Sequence, residues 1–113
     1  MSSIKYKNNS LFVENTSVKR LVSKYKSPFY LYSNSNIIEN YKSFYNNFKK
    51  VTPLICFSVK ANSNVQILRI LKKMGSGADV VSGGELLKTL KSGIKPNKIV
   101  FSGVGKTEEE LRL

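Results

Sequence analysis

Cysteine is nearly missing from this sequence: Cys56 stands alone among 113 residues. A single thiol excludes an internal disulfide framework and fits a reducing compartment, so a cytoplasmic location is expected. Cys56 itself reads as a small hydrophobe in a strand. No apolar run approaches the roughly 20 residues of a membrane-spanning helix, and no membrane partner is expected. The opening MSSIKYKNNS carries some positive charge but leads into no apolar segment, so no secretory signal is expected either. Acidic residues are scarce as well, seven against 19 Lys and Arg, for a formal charge of +12. A balance of that size can mark a nucleic-acid or anionic-membrane partner. Here the lysines are spread along the chain, mainly at helix ends and on polar faces, with no dense basic run and no familiar nucleic-acid signature. Abundant Asn, Ile, Ser and Tyr beside few Ala and Arg point instead to an AT-biased coding sequence. No nucleic-acid partner and no metal site are expected.

What is present is an ordinary globular share of apolar residues, 41%, in a length that makes one small domain. Up to about Lys26 the pattern is irregular, with short apolar pieces (Leu11-Phe12-Val13 and Leu21-Val22) among polar residues. Pro28 precedes Phe29-Tyr30-Leu31-Tyr32, an aromatic and aliphatic run that reads as a short strand. Ser33-Asn34-Ser35-Asn36 supplies turn and N-cap chemistry. Ile37, Tyr41, Phe44, Tyr45 and Phe48 recur at helical spacing, with Lys42, Lys49 and Lys50 on the other side, until Pro53 closes the unit.

From Leu54 the pattern becomes regular. Leu54 to Val59, Ala78 to Val81 and Lys98 to Phe101 read as strands, each followed by a hydroxyl residue three positions before Glu or Gln. These pairs, Ser63 with Gln66, Ser82 with Glu85 and Thr107 with Glu110, predict capping boxes that open helices. The first two helices carry apolar stripes (Ile67, Leu68, Leu71, Met74; then Leu86, Leu87, Leu90) and stop at Gly75 and Gly93, as left-handed C-caps do. Strand, cap, helix, glycine and strand in repetition make a parallel β/α chain. Leu113 falls inside the third of these helices, which would need several turns to bury an apolar face. Three parallel strands also need cover on both faces. The sequence is therefore expected to be truncated; a complete small α/β domain is the competing reading.

In β/α architectures functional groups collect at the C-terminal ends of the strands. Strand alternation places Leu54, Cys56, Ser58 and Lys60 on one face and Ile55, Phe57 and Val59 on the other. With helices on the second face, Lys60 projects inward, where desolvation favours the neutral amine that Schiff-base formation with an aldehyde requires. A lysine that merely snorkels out of a strand end is the competing reading. Asp79, early in the second strand, is costly to bury unpaired, and Lys60 is its expected partner, whether in a site or in a simple ion pair. Ser82-Gly83-Gly84 opens a helix whose backbone donors could receive an anion. Ser102-Gly103-Val104-Gly105-Lys106 lacks the spacing of a Walker motif and reads as a tight strand-to-helix turn.

CFSVKANSN at 56–64, GSGADVVSGGEL at 75–86 and IVFSGVGKTEEEL at 99–111 resemble successive motifs of the diaminopimelate decarboxylase family, within the alanine-racemase-like, fold-type III pyridoxal-phosphate enzymes. SPFYLYS at 27–33 resembles that family's entry motif, with Ser27 in place of the usual Thr. VKAN is shared with other decarboxylases and racemases, whereas DVVSGGEL followed by FSGVGKT is more specific. The resemblance implies that Lys60 carries pyridoxal 5'-phosphate and that Asp79 lies near the cofactor and that lysine. It implies an α/β fold: the first three β/α units of an incomplete (β/α)8 TIM-type barrel, spanning 36–113. Before them, a segment over 1–35 contributes a strand, around Phe29–Tyr32, to a C-terminal β-domain.

The reaction implied is decarboxylation of meso-diaminopimelate to L-lysine, the last step of lysine biosynthesis, by a cytoplasmic homodimer. The family's ring-stacking histidine is not in this chain, which has no His. Its glycine-rich phosphate site, the acid that pairs with the pyridine nitrogen, and its late Cys and Tyr are absent too. The 113-residue polypeptide alone is therefore expected to be inactive and poorly folded. Alternatives are another decarboxylase of the same fold (ornithine, arginine or carboxynorspermidine type), a racemase, a non-catalytic binding module, or a basic nucleic-acid-binding domain.

Overall fold

Two tight turns start the chain, and both are built by residues in the left-handed region. The structure, a computed structural model, describes residues 3–113; the first two residues of the expected 1–35 segment lie outside the described residues. The chain divides into two units, Met1–Asn40 and Tyr41–Leu113. In the first, β1 (Ile4–Lys7), β2 (Ser10–Val13) and β3 (Thr16–Ser17) form an antiparallel sheet in that order. Lys7 registers with Ser10 across a two-residue turn in which Asn8 and Asn9 have φ of 46° and 58°. Positive φ at both central residues matches the right-handed twist of a hairpin, and Asn tolerates it better than other residues with a Cβ. Glu14, at φ 55°, turns β2 into β3.

Helix α1 (Val18–Lys24) follows, then a cis Ser27–Pro28 bond. Residues 29–32, expected as a strand, join no ladder among the described residues. Their backbone finds no partner strand to bond, and the rings interact locally instead: Phe29 meets Tyr25 edge-on at 6.3 Å, and Tyr30 stacks on Tyr32 at 6.3 Å. Helix α2 (Asn34–Phe48) begins at the end of this unit. Ser33 Oγ accepts from Asn36 N at 3.1 Å, as an N-cap does. The Glu14 carboxylate accepts from Ser35 N at 2.8 Å and from Ser33 Oγ at 2.7 Å. These bonds hold the Glu14 carboxyl below the usual carboxylate range.

The second unit carries the expected parallel chain: β4 (Cys56–Ser58), β5 (Gly77–Val80) and β6 (Ile99–Phe101), hydrogen-bonded in sequence order. Helices α3 (Val65–Lys73) and α4 (Gly83–Ser92) make the two crossovers that parallel pairing demands, and the short α5 (Glu108–Leu111) follows β6. Val59, Leu68, Ala78, Val80 and Ile94 form the buried core, with Phe57, Leu86, Ile99 and Phe101 packed against it. Each large apolar side chain removed from water there contributes about 1.5–3 kcal/mol. Phe57 and Val59 thus face the helices, as alternation predicts.

Both expected glycine stops are left-handed, Gly75 at φ 89° and Gly93 at φ 91°. Of the three capping boxes only Thr107 with Glu110 is complete. At α4, Ser82 Oγ accepts from Glu85 N at 3.3 Å, but the Glu85 carboxylate reaches one residue further back, to Val81 N at 2.9 Å. At α3 the cap is Asn64 rather than Ser63. Asn62 Oδ1 accepts from Asn64 N at 3.0 Å, an Asx turn that delivers Asn64 to the cap, and Ser63 Oγ accepts from Lys88 Nζ instead.

Candidate functional site

The face of the parallel sheet away from the core carries the chemistry-bearing side chains. Register sets Ser58 beside Asp79 and Asp79 beside Val100, so these three lie in one row across the strands. Their neighbours Ala78 and Val80 point the other way and are fully buried. Cys56, two residues before Ser58, shares the row's face; partial burial pushes its thiol up, and the charge of Asp79 adds to this.

Lys60 follows β4 in a single 3-10 turn, Val59–Ala61. Regular alternation therefore ends at Ser58, and Lys60 stands in the turn beyond it with its side chain exposed. Among the described residues it makes no hydrogen bond and no ion pair. The low-dielectric enclosure expected around the amine is not supplied by these residues.

Asp79 is half-buried, and its carboxylate accepts a hydrogen bond from Ser102 Oγ, just past β6. The expected Lys60–Asp79 pair is not formed. Ser58 Oγ, on the β4 side of Asp79, is out of reach of solvent and has no partner. The carboxylate is thus engaged toward β6, while the β4 side holds an unpartnered hydroxyl and an unpartnered amine.

At the next strand end, Gly83 N, at the start of α4, donates to Glu110 Oε1 at 2.8 Å. The anion received by the Ser82-Gly83-Gly84 segment is the chain's own carboxylate. Glu110 Oε2 also accepts from Thr107 N at 3.1 Å, and these two backbone donors hold its carboxyl below the usual range. After β6, Ser102 N donates to Val80 O at 3.0 Å, and Lys106 Nζ donates to Gly103 O at 2.7 Å while lying 5.5 Å from the Phe101 ring centre. A Cβ on Gly103 would stand 2.5 Å from the Val81 carbonyl oxygen, so this turn needs glycine for close approach. Sequence reasoning did not single out Ser102 as a partner of Asp79. The only signal was that Ser102 lies two residues past Val100 on the same face, a period-2 step.

An exposed, unpaired primary amine at the C-terminal end of a parallel sheet, beside a hydrogen-bonded carboxylate, fits an aldehyde-bearing cofactor. The leading amide of α4, Gly83 N, is taken by Glu110 and is not free to meet a phosphate. Among the described residues no three His, Cys, Asp or Glu side chains cluster to hold a metal ion, and no helix is long and apolar enough to cross a membrane.

Residues 34–113 match the family described as pyridoxal-dependent decarboxylase, pyridoxal binding domain. The diaminopimelate decarboxylase of Aquifex aeolicus is 44% identical over 108 residues, which are 96% of this chain and 25% of that protein. That of Helicobacter pylori is 50% identical over 93 residues, 82% of this chain and 23% of the relative. The crystal structure of diaminopimelate decarboxylase from M. jannaschii in co-complex with L-lysine superposes with a TM-score of 0.91 at 35% identity, covering 98% of this chain and 28% of the other. The chain spans about a quarter of the length of these relatives.

Proposed function

The chain belongs to the pyridoxal-dependent decarboxylases, as part of their pyridoxal-binding domain, and from that premise we propose that Lys60 is the cofactor-bearing lysine of an enzyme that converts meso-diaminopimelate to L-lysine. The observation that carries this reading is the Lys60 amine itself, exposed and unpaired beside Asp79 at the sheet's C-terminal end. Bound pyridoxal phosphate supplies an aldehyde for amine capture and a ring that withdraws electrons from the bond to the departing carboxylate. Lys60 offers Nζ to that aldehyde, and the 3-10 turn after β4 presents the amine clear of the core. Asp79 sets its carboxyl group in the row on the sheet face, held by the Ser102 hydroxyl. Ser58 adds an unused hydroxyl in the same row.

The same reading assigns 36–113 to the beginning of a (β/α)8 barrel and 1–35 to a segment that works with a β-domain. Assembly as a homodimer in the cytoplasm, with no nucleic-acid partner, completes it. The substrate is supported by the diaminopimelate decarboxylase names of relatives 44% and 50% identical to this chain.

The test uses the full-length protein. Borohydride reduction with pyridoxal phosphate is expected to fix the cofactor on Lys60, located by peptide mapping. Lys60→Ala is expected to abolish both the absorbance of lysine-bound cofactor and CO2 release from diaminopimelate. Label on a different lysine sinks the assignment of Lys60. Faster CO2 release from ornithine or arginine than from diaminopimelate sinks the substrate.

A further inference from the structure

Asp79 lies between two strands whose following residues carry hydrogen-bond donors. Ser58 and Val100 are its register partners on either side, and Lys60 and Ser102 each lie two residues beyond one of them. Ser102 continues the ladder, its N donating to Val80 O, whereas Lys60 sits in the 3-10 turn that lies against β5. In the structure Ser102 holds the carboxylate: its hydroxyl donates to Asp79 Oδ1, while Lys60 and Ser58 Oγ stand without partners.

We propose that Ser102 is a positioning residue, holding the Asp79 carboxylate toward β6 and so keeping the Lys60 amine unpaired and free to take up the cofactor. This deepens the reading of Lys60 given above and rests on it. The physical argument concerns which form of the amine reacts. Attachment forms a carbon–nitrogen bond between Lys60 Nζ and an aldehyde carbon, and the carbonyl oxygen leaves as water with both hydrogens of the neutral amine. An ammonium locked against a carboxylate has no electron pair to offer.

A half-buried carboxylate on a sheet face needs a donor. The Ser102 hydroxyl satisfies it without bringing a second charge, and the bond spans only adjacent strands that register already fixes. Without that hydroxyl the donors left near the row are Ser58 Oγ, the Cys56 thiol and, in the turn after β4, the Lys60 ammonium, all on the β4 side. The carboxylate then turns toward Lys60 and withdraws the amine from reaction.

The experiment measures the rate at which the full-length protein, stripped of cofactor, takes up pyridoxal phosphate covalently, read from the absorbance of the lysine-bound form. Ser102→Ala is expected to attach cofactor about fivefold more slowly, the factor that pairing at an exposed site supports. Ser102→Thr, which keeps the hydroxyl, is expected to restore the rate. In an Asp79→Asn background Ser102→Ala is expected to change nothing further, because no carboxylate remains to capture the amine. Equal rates for the wild type and Ser102→Ala overturn the proposal. An equal slowing in the Asp79→Asn background overturns it too, since the effect would then not pass through Asp79. Peptide mapping after borohydride reduction of the wild type separates the two levels. Label on Lys60 with an unaffected Ser102→Ala rate defeats only the role of Ser102, whereas label elsewhere defeats the assignment of Lys60 itself.

Discussion

From Ser3 to Asn40 no described side chain is buried, whereas from Val59 to Gly103 the buried residues recur every few positions. The two stretches are ordered by different means. The first relies on turns and hydrogen bonds: paired left-handed asparagines in the β1–β2 hairpin, and the Glu14 carboxylate on the opening residues of α2. The second relies on exclusion of water from Val59, Leu68, Ala78, Val80 and Ile94, with polar caps added at its edges. Both use a glutamate to satisfy backbone donors of a helix, Glu14 in one and Glu110 in the other. Within the described residues the first stretch is held by local geometry, whereas the row of chemical groups on the sheet face rests on a core. Ser58, Asp79 and Val100 keep their spacing because Phe57, Ala78, Val80, Ile99 and Phe101 are packed behind them.

The largest expected effect separates the two regions directly. Leu68→Ala, at a fully buried site, is expected to cost about 2–5 kcal/mol in denaturant unfolding of the full-length protein. Gly103→Ala is expected to cost about 1–3 kcal/mol, because the new methyl group meets the Val81 carbonyl and the Phe101 ring. Next come the two carboxylates. Each is held below the ordinary glutamate value of about 4.3, so each stabilises fully above that value and loses its contribution as pH falls through its lowered folded value. Side-chain NMR titration is expected to place both midpoints below that of an unstructured glutamate, and Glu110→Gln is expected to reduce the acid sensitivity of unfolding. The smallest effect is expected for Tyr30→Ser, within about 0.5 kcal/mol, since Tyr30 is 88% exposed. A loss there as large as that of Leu68→Ala would break the comparison, and would mean that the aromatic run is covered in solution.

Legibility followed the same division. The β/α order from Leu54 onward was readable because burial imposes periods of 2 and 3.6 residues, and because Gly75, Gly93 and the Thr107–Glu110 box mark helix ends by local chemistry. The β1–β2 hairpin was missed because its Asn8-Asn9 turn lacks the glycine that usually announces one, and its exposed strands show no burial pattern. Phe29–Tyr32 has strand-forming residues, but propensity cannot provide a partner ladder. At the site, the cost of burying an unpaired carboxylate called for a partner to Asp79. It could not say which donor the carboxylate would choose, and the nearer-seeming choice, Lys60, was not the one made. The 3-10 turn at Val59–Ala61 was invisible to a rule that assumes the strand continues.

One carboxyl group, that of Glu110, closes the first turn of α5 and also receives the leading amide of α4, 27 residues earlier. Fraying of either helix start strips a donor from the other, so the two openings are not independent events. Amide exchange at Gly83 is therefore expected to speed up when Glu110, a residue remote in sequence, is replaced by Gln. The second and third β/α units, whose strands carry Asp79 and Ser102, thus share one carboxylate at their helix starts.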